Sequence, residues 1–245
     1  MLGCESEAIS TMDLKQLRDN LLGVQDRIAA AARKAARKKD EVTLIGVSKT
    51  QPAEAIRTAY EAGLRHFGEN RVQEWEGKRA ALGDLQATWH LVGHLQSNKA
   101  ARAAGLFHSV DSLDDLVLAQ RLSRARDGQN GERKLRVLLE VRVEEEESKS
   151  GVKPEAAAGL VEKVSALSHL ELAGLMCIPP FLKDAEQVRP YFRRLRDLRD
   201  ALSRTLGRDF TVLSMGMSHD FEVAIEEGAT EVRVGTAIFG SRTAK

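Results

Sequence analysis

Leucine, valine and isoleucine recur at steps of three and four near the start of the chain. Leu14, Leu17, Leu21, Val24 and Ile28 fall on one face of a helix predicted over about Asp13 to Lys39. Its end carries Arg33, Lys34, Arg37, Lys38 and Lys39, which puts positive charge at the negative end of the helix dipole. The run reads as a solvated helix end or as a nucleic-acid patch. No aromatic or loop partner accompanies it, which favours the helix end.

From Glu41 the rhythm changes to short β-rich runs alternating with amphipathic Ala/Leu-rich stretches. The predicted strands are Val42–Lys49, Arg65–Glu69, Thr88–Gly93, Leu106–Asp111, Lys134–Val143, Leu170–Ile178, Thr211–Met217 and Glu231–Phe239. Helices are predicted between them at Pro52–Ala62, Val72–Leu82, Asn98–Ala104, Leu113–Arg126, Pro154–Ser168, Asp184–Leu206 and His219–Glu227. Pro52 and Pro154 suit a first helical turn, and Gly63, Gly83, Gly105, Gly207 and Gly228 stand where helices should stop. This alternation predicts an α/β fold, a parallel sheet closed into a single (β/α)8 TIM barrel with an extra N-terminal helix. An open doubly wound sheet is the alternative. No linker-like break appears, so residues 1–245 are expected to form one domain, with the barrel proper over about 41–240.

Composition narrows the partners. The 245 residues carry 37 Lys+Arg against 36 Asp+Glu, so no general attraction to nucleic acid is expected. Aromatics, at 4%, are too few to stack bases along a strand. No apolar run approaches a membrane span, and MLGCESEAIST has neither a basic n-region nor an apolar h-region. Cys4 and Cys177 cannot build a disulfide framework or a metal cluster. The expectation is a soluble, monomeric, cytoplasmic protein that binds neither membrane nor nucleic acid.

In such a barrel the chemistry belongs at the C-terminal strand ends. Lys49 shares a strand face with Ile45 and Val47, so a core-facing face ends in an amine. It is either a solvated strand end or a lysine whose pKa burial lowers toward imine chemistry. Glu69 and Asn70, after the second strand, could meet a ligand or cap the next helix. Ser214-Met215-Gly216-Met217-Ser218 and Arg233-Val234-Gly235-Thr236 could expose backbone N–H groups to a phosphate, or the glycines could merely allow tight turns. Arg233, on the face of Gly235, needs an acceptor: a ring nitrogen, a carboxylate, or an internal bridge to Glu69. His90 and His94 span a strand and a glycine with no cysteine or carboxylate nearby in sequence, so no metal site is expected.

Five blocks then match a known pattern: Val47-Ser48-Lys49-Thr50, Phe67-Gly68-Glu69-Asn70, WHLVGHLQSNK from Trp89 to Lys99, Ser148-Lys149-Ser150-Gly151, and Ser214 to Gly240. Together they resemble the YggS/PROSC family of pyridoxal 5'-phosphate (PLP) homeostasis proteins, related to the barrel domain of alanine racemases. The resemblance runs from about Leu14 to Gly240. It implies a fold-type-III barrel with PLP held as an internal aldimine on Lys49. Ser214, Gly235 and Thr236 would hold the phosphate, helped by the backbone at Gly216 and Met217. Arg233 would face the pyridine nitrogen and Asn70 would lie beside the cofactor. His94 departs from the pattern where proline is frequent, and His219 precedes Asp220 where sequence varies.

An arginine at the pyridine nitrogen leaves it unprotonated and weakens carbanion stabilisation. Alanine racemases take a second base, a tyrosine, from an added β-domain. This chain ends five residues past Gly240, and its tyrosines, Tyr60 and Tyr191, fall in predicted helices. The resemblance therefore implies a PLP carrier that stores, buffers or delivers the cofactor, with recipient apo-enzymes as candidate partners. A low-activity PLP-dependent amino-acid racemase and a PLP-independent sugar-phosphate enzyme are the alternatives. Lys149 could be a second PLP acceptor, or a loop amine paired with Glu144–Glu147.

Overall fold

The computed structural model describes residues 14–128, 133–144 and 150–240. Eight parallel strands close into a barrel in chain order: β1 (Thr43–Val47), β2 (His66–Glu69), β3 (Thr88–Leu91), β4 (Ser109–Leu113), β5 (Leu135–Glu140), β6 (Leu170–Met176), β7 (Val212–Ser214) and β8 (Glu231–Val234). Ile45 pairs with His66 on one side and Arg233 on the other, so β1 and β8 seal the ring. This is the (β/α)8 barrel expected from the alternation. Among the described residues the helices are α1 (Leu14–Lys34), α2 (Ala53–Glu61), α3 (Val72–Leu82), α4 (Ala100–Leu106), α5 (Leu116–Asp127), α6 (Pro154–Ser165), α7 (Arg189–Leu206), α8 (Phe221–Glu226) and α9 (Thr236–Phe239).

Several boundaries differ from the pattern reading. The first helix stops at Lys34 because Ala36 turns into the left-handed region at φ 55. Leu14 stands exposed while Leu17, Leu21, Val24 and Ile28 are buried. The basic end of α1 is tied down: Arg37 donates to the carbonyls of Ile225 and Ala229, satisfying the end of α8, and Lys34 pairs with Glu226. Residues 236–239 were expected to extend the last strand, but they form the helical turn α9. The fourth strand lies at 109–113 instead of 106–111, and Gly105 sits inside α4 rather than ending it. Strand-like apolar runs continue into buried helix turns, and periodicity cannot separate the two over so few residues.

The main apolar core lies between strands and helices. Phe67 of β2 stacks on Trp89 of β3, which stacks on Trp75 of α3 at a centroid distance of 3.7 Å. Inside the barrel the floor is polar instead. His66 Nδ1 meets His90 Nε2 at 3.1 Å, and His90 Nδ1 bonds Asp111 at 3.1 Å. Ser109 donates to Asp111, while Arg136 reaches across to Glu231 at 2.6 Å and to Ser109 at 3.3 Å. Burial alone would raise the Asp111 carboxyl, but His90, Arg136 and Ser109 outweigh it and hold it low. Burial and the neighbouring His90 and Arg136 push the His66 ring down to about 4. Sequence distance concealed this convergence of His90, Asp111 and Glu231, whose ligand atoms lie within 4.8 Å. Arg136 supplies a cation to the cluster from within the chain.

Two glycines make a paired test. A Cβ on Gly174 would lie 2.0 Å from the carbonyl oxygen of Val212, where β6 and β7 meet. Gly174→Ala is expected to destabilise by about 3 kcal/mol or more in urea unfolding. Gly159, exposed on α6 with open space at its Cβ, should instead gain about 0.5–1 kcal/mol as Gly159→Ala.

Candidate functional site

Lys49 follows the last paired residues of β1. Ser48 still donates its N–H to Gly68 at 2.9 Å, and Thr50 then turns with φ 64, a conformation unusual for a branched side chain. That turn is stapled to α3. Lys78 donates to the Ser48 carbonyl at 2.9 Å, to Glu69 at 2.9 Å and to Glu74 at 2.8 Å. Glu74 accepts the Thr50 N–H, and the Ser48 hydroxyl donates to Glu69 at 2.7 Å. Burial raises the Glu69 carboxyl despite Lys78, and one of its oxygens is buried without a hydrogen bond. For the less buried Glu74 the same desolvation is outweighed by Lys78 and the Thr50 N–H, which hold it low. The half-buried Lys49 is thereby presented at the barrel mouth.

The closing loops approach from the other side. Arg233 is buried and donates to Ser214 Oγ and to the Cys177 carbonyl, both at 2.8 Å. Its suggested bridge to Glu69 does not form, because Glu69 points outward to Lys78 on α3 while Arg233 points into the barrel. Gly216 has φ 94, and a Cβ there would lie 2.6 Å from Ala224 Cβ, so only glycine fits. Arg233 donates its N–H to the Gly216 carbonyl at 2.9 Å. Met217 donates its N–H to Asp220 at 2.6 Å, whose carboxyl is raised by burial, with that N–H opposing. A Cβ on Gly235 would lie 3.4 Å from the Val47 carbonyl, so this loop runs alongside the strand that carries Lys49. Ser218 Oγ accepts the N–H groups of Gly235 and Ala237, both at 3.2 Å, which makes those donors converge. Thr236 is exposed beside them.

Asn70 follows β2 half-buried, its backbone against Gly93, and helps line a cavity of about 470 Å³ with Arg71, His94 and Lys99. Neither Glu69 nor Asn70 caps α3: the cap residue is Arg71, without a side-chain bond. His90 and His94 do not converge, since His90 is buried in the barrel floor and His94 lies exposed in a loop. Lys149 lies outside the described residues.

An amine, a buried guanidinium and a pair of glycine-lined loops thus share one mouth. The alanine racemase N-terminal domain family matches residues 12–243. A pyridoxal phosphate homeostasis protein of Aquifex aeolicus is 47% identical over 224 residues, covering 91% of this chain and 97% of that protein. One of Pseudomonas aeruginosa is 48% identical over 229 residues, covering 94% and 97%. The chain belongs to the YggS/PROSC family of pyridoxal phosphate homeostasis proteins. Among solved structures, PipY of Synechococcus elongatus with PLP bound is 38% identical, with a TM-score of 0.81 over 91% of this chain and 100% of that one. An alanine racemase of Clostridium difficile, 14% identical with a TM-score of 0.68, covering 93% of this chain and 58% of that one, shares the fold.

For this family member, sequence reading missed Ser218, Asp220, Lys78 and Glu74. Ser218 and Asp220 lay in or beside a quoted block, but only the folded loop shows which N–H groups their oxygens take. Lys78 and Glu74 carried a signal, since an i,i+4 acid–base pair on a helix is legible, but their contact with the Lys49 turn is not. Lys78→Met leaves the Glu69 carboxyl buried without its cation. A loss of about 3–5 kcal/mol in urea unfolding is expected, with much of it restored when Glu69→Gln is added.

Proposed function

We propose that this protein binds PLP covalently through Lys49 and stores, buffers or delivers it within the cell. The observation that carries the reading is the meeting of three groups at one barrel mouth: the Lys49 amine, the buried Arg233 and the glycine-built loops at 214–218 and 233–236. The donor set suits the cofactor. A primary amine can condense with an aldehyde and release water. Backbone N–H groups at Gly216 and Thr236 suit a phosphate, which would also draw on those of Met217 and Gly235 by replacing Asp220 and Ser218 as their acceptors, with Ser214 nearby on β7. Gly216 lets this loop pass close against α8, where a Cβ would meet Ala224 and Phe221. Asn70, just after β2, would complete the wall beside the cofactor.

PLP supplies an electron-withdrawing pyridine ring when bound. Arg233, a permanent cation, would face the ring nitrogen as a donor and would offer no proton-transfer partner to keep it protonated. Both tyrosines lie on outer helices: Tyr60 on α2 under the Arg65 guanidinium, and Tyr191 on α7 near Arg194. Neither can serve as a base at the mouth. Holding is therefore favoured over turnover. Among the described residues no helix is long and apolar enough to cross a membrane. We place the protein in the cytoplasm as a monomer, with apo-enzymes as recipients.

Incubation with PLP should give a visible absorption band that borohydride fixes onto the peptide containing Lys49. Lys49→Ala should lose both band and label. A persistent band, or a label on another lysine of the native chain, overturns the assignment.

A further inference from the structure

After β6 the chain leaves the barrel along its C-terminal rim as residues 177–184. Pro179 and Pro180 stand in the middle of this segment and have no N–H to give. Its first residue already touches the site, because the Cys177 carbonyl is one of the two acceptors that hold Arg233. Pro179 is buried and Leu182 packs partly against the core, whereas Phe181 stands 76% exposed. A large apolar ring left in water, on a backbone outside any ladder, keeps one position only if something holds it there.

That hold is His219. Its Nε2 lies 3.0 Å from the Leu182 carbonyl and 3.1 Å from the Lys183 carbonyl, so this nitrogen carries the hydrogen and shares it between two acceptors. The ring also meets Phe181 at a centroid distance of 5.1 Å, tilted by 44°. Among the described residues these are the only hydrogen bonds to the backbone of residues 178–183. The other end of the fastening is the loop read above as the phosphate site. On one side of His219, Ser218 collects the N–H groups of Gly235 and Ala237, and on the other, Asp220 takes that of Met217. We propose that residues 177–184 are a strap beside the phosphate site, fastened to its loop by His219, and that this fastening sets how fast bound PLP leaves. The inference rests on the PLP reading and adds to it a control on release.

The coupling runs both ways. Lifting the strap pulls on His219 and so on the turn at 218–220, whose neighbours carry the N–H donors. An anion seated on those donors holds the loop in place, and the strap with it. Opening the strap around bound PLP therefore costs the His219 bonds, the Phe181 contact and some of the order of the loop. Without the imidazole the strap opens on its own and the loop loses that restraint. His219 acts through the loop, as a positioning residue.

The test combines two readouts on the full chain. Chymotrypsin cleavage after Phe181, located by mass spectrometry, reports how often the strap comes away, because a protease takes only a detached segment. Release of PLP is followed as decay of the visible band in the presence of a phosphatase that consumes the free cofactor. Without ligand, His219→Ala should be cut about fivefold faster than the native chain. His219→Gln, whose side-chain amide can donate to the same carbonyls, should return most of the way to the native rate. PLP and inorganic phosphate should each slow cutting of the native chain, and neither should slow it in His219→Ala. PLP should leave His219→Ala about fivefold faster than the native chain, with His219→Gln again close to native. Equal cutting of the native chain and His219→Ala overturns the fastening, as does a glutamine that rescues nothing. An unchanged release rate in His219→Ala overturns the control on release. If the native chain gives no visible band with PLP, the Lys49 assignment fails separately. Protection by inorganic phosphate, lost in His219→Ala, then supports the strap, and its absence overturns it.

Discussion

An amine has to be held at the mouth of a barrel by a strand that has already run out of partners. Beyond Ser48 the ladder with β2 ends, and the chain must reverse at Thr50 in the left-handed region. Such a residue persists only where its surroundings over-determine it. Here the determinants are ionic: Lys78 grips the Ser48 carbonyl and both Glu69 and Glu74, and Glu74 grips the Thr50 N–H. The backbone on either side of Lys49 is thus held by α3. In the proposed attachment of PLP, a lysine on a fixed turn would lose less conformational entropy than one on a mobile segment.

The rest of the barrel follows from the same need to place polar groups inside. Large parallel barrels usually fill their interior with branched apolar side chains. This one has a floor of His66, His90, Ser109, Asp111, Arg136 and Glu231. Carboxylates and guanidinium meet within the network, so few buried charges stand alone, although one oxygen of Glu231 has no hydrogen bond. An ionic floor of this kind adds less to stability than apolar packing would. It does fix side-chain geometry below the tier in which Ser214 orients Arg233. Apolar stability comes instead from the outer shell, where strand faces meet helices such as α1 and α3.

The architecture was legible because each strand and helix carries its own period, and a βα alternation leaves few ways to close. The places where reading failed share one physical origin. Residues 236–239 are apolar and short, so strand and helix templates fit them equally, and only Gly235 leaving the ladder decides. Lys49, Asn70 and Arg233 stand at strand ends, where the architecture makes polar residues conspicuous. Asp111 and Glu231 were invisible as neighbours of His90 because 21 residues separate the first pair and strand order alone brings the others together. Ser218 could be read as loop polarity but not as the acceptor of two N–H groups.

Arg233 is the point at which geometry bears most directly on chemistry. Its guanidinium is already shared between Ser214 and the Cys177 carbonyl, so it is locked in direction before any ligand arrives. A group so fixed can recognise a ring nitrogen without reorganisation, which favours tight holding. In the proposed PLP complex the same fixed cation would lower the gain from drawing electrons into the ring, because an arginine does not yield a proton to the nitrogen. One contact would therefore push in two directions, toward retention of the cofactor and away from carbanion chemistry.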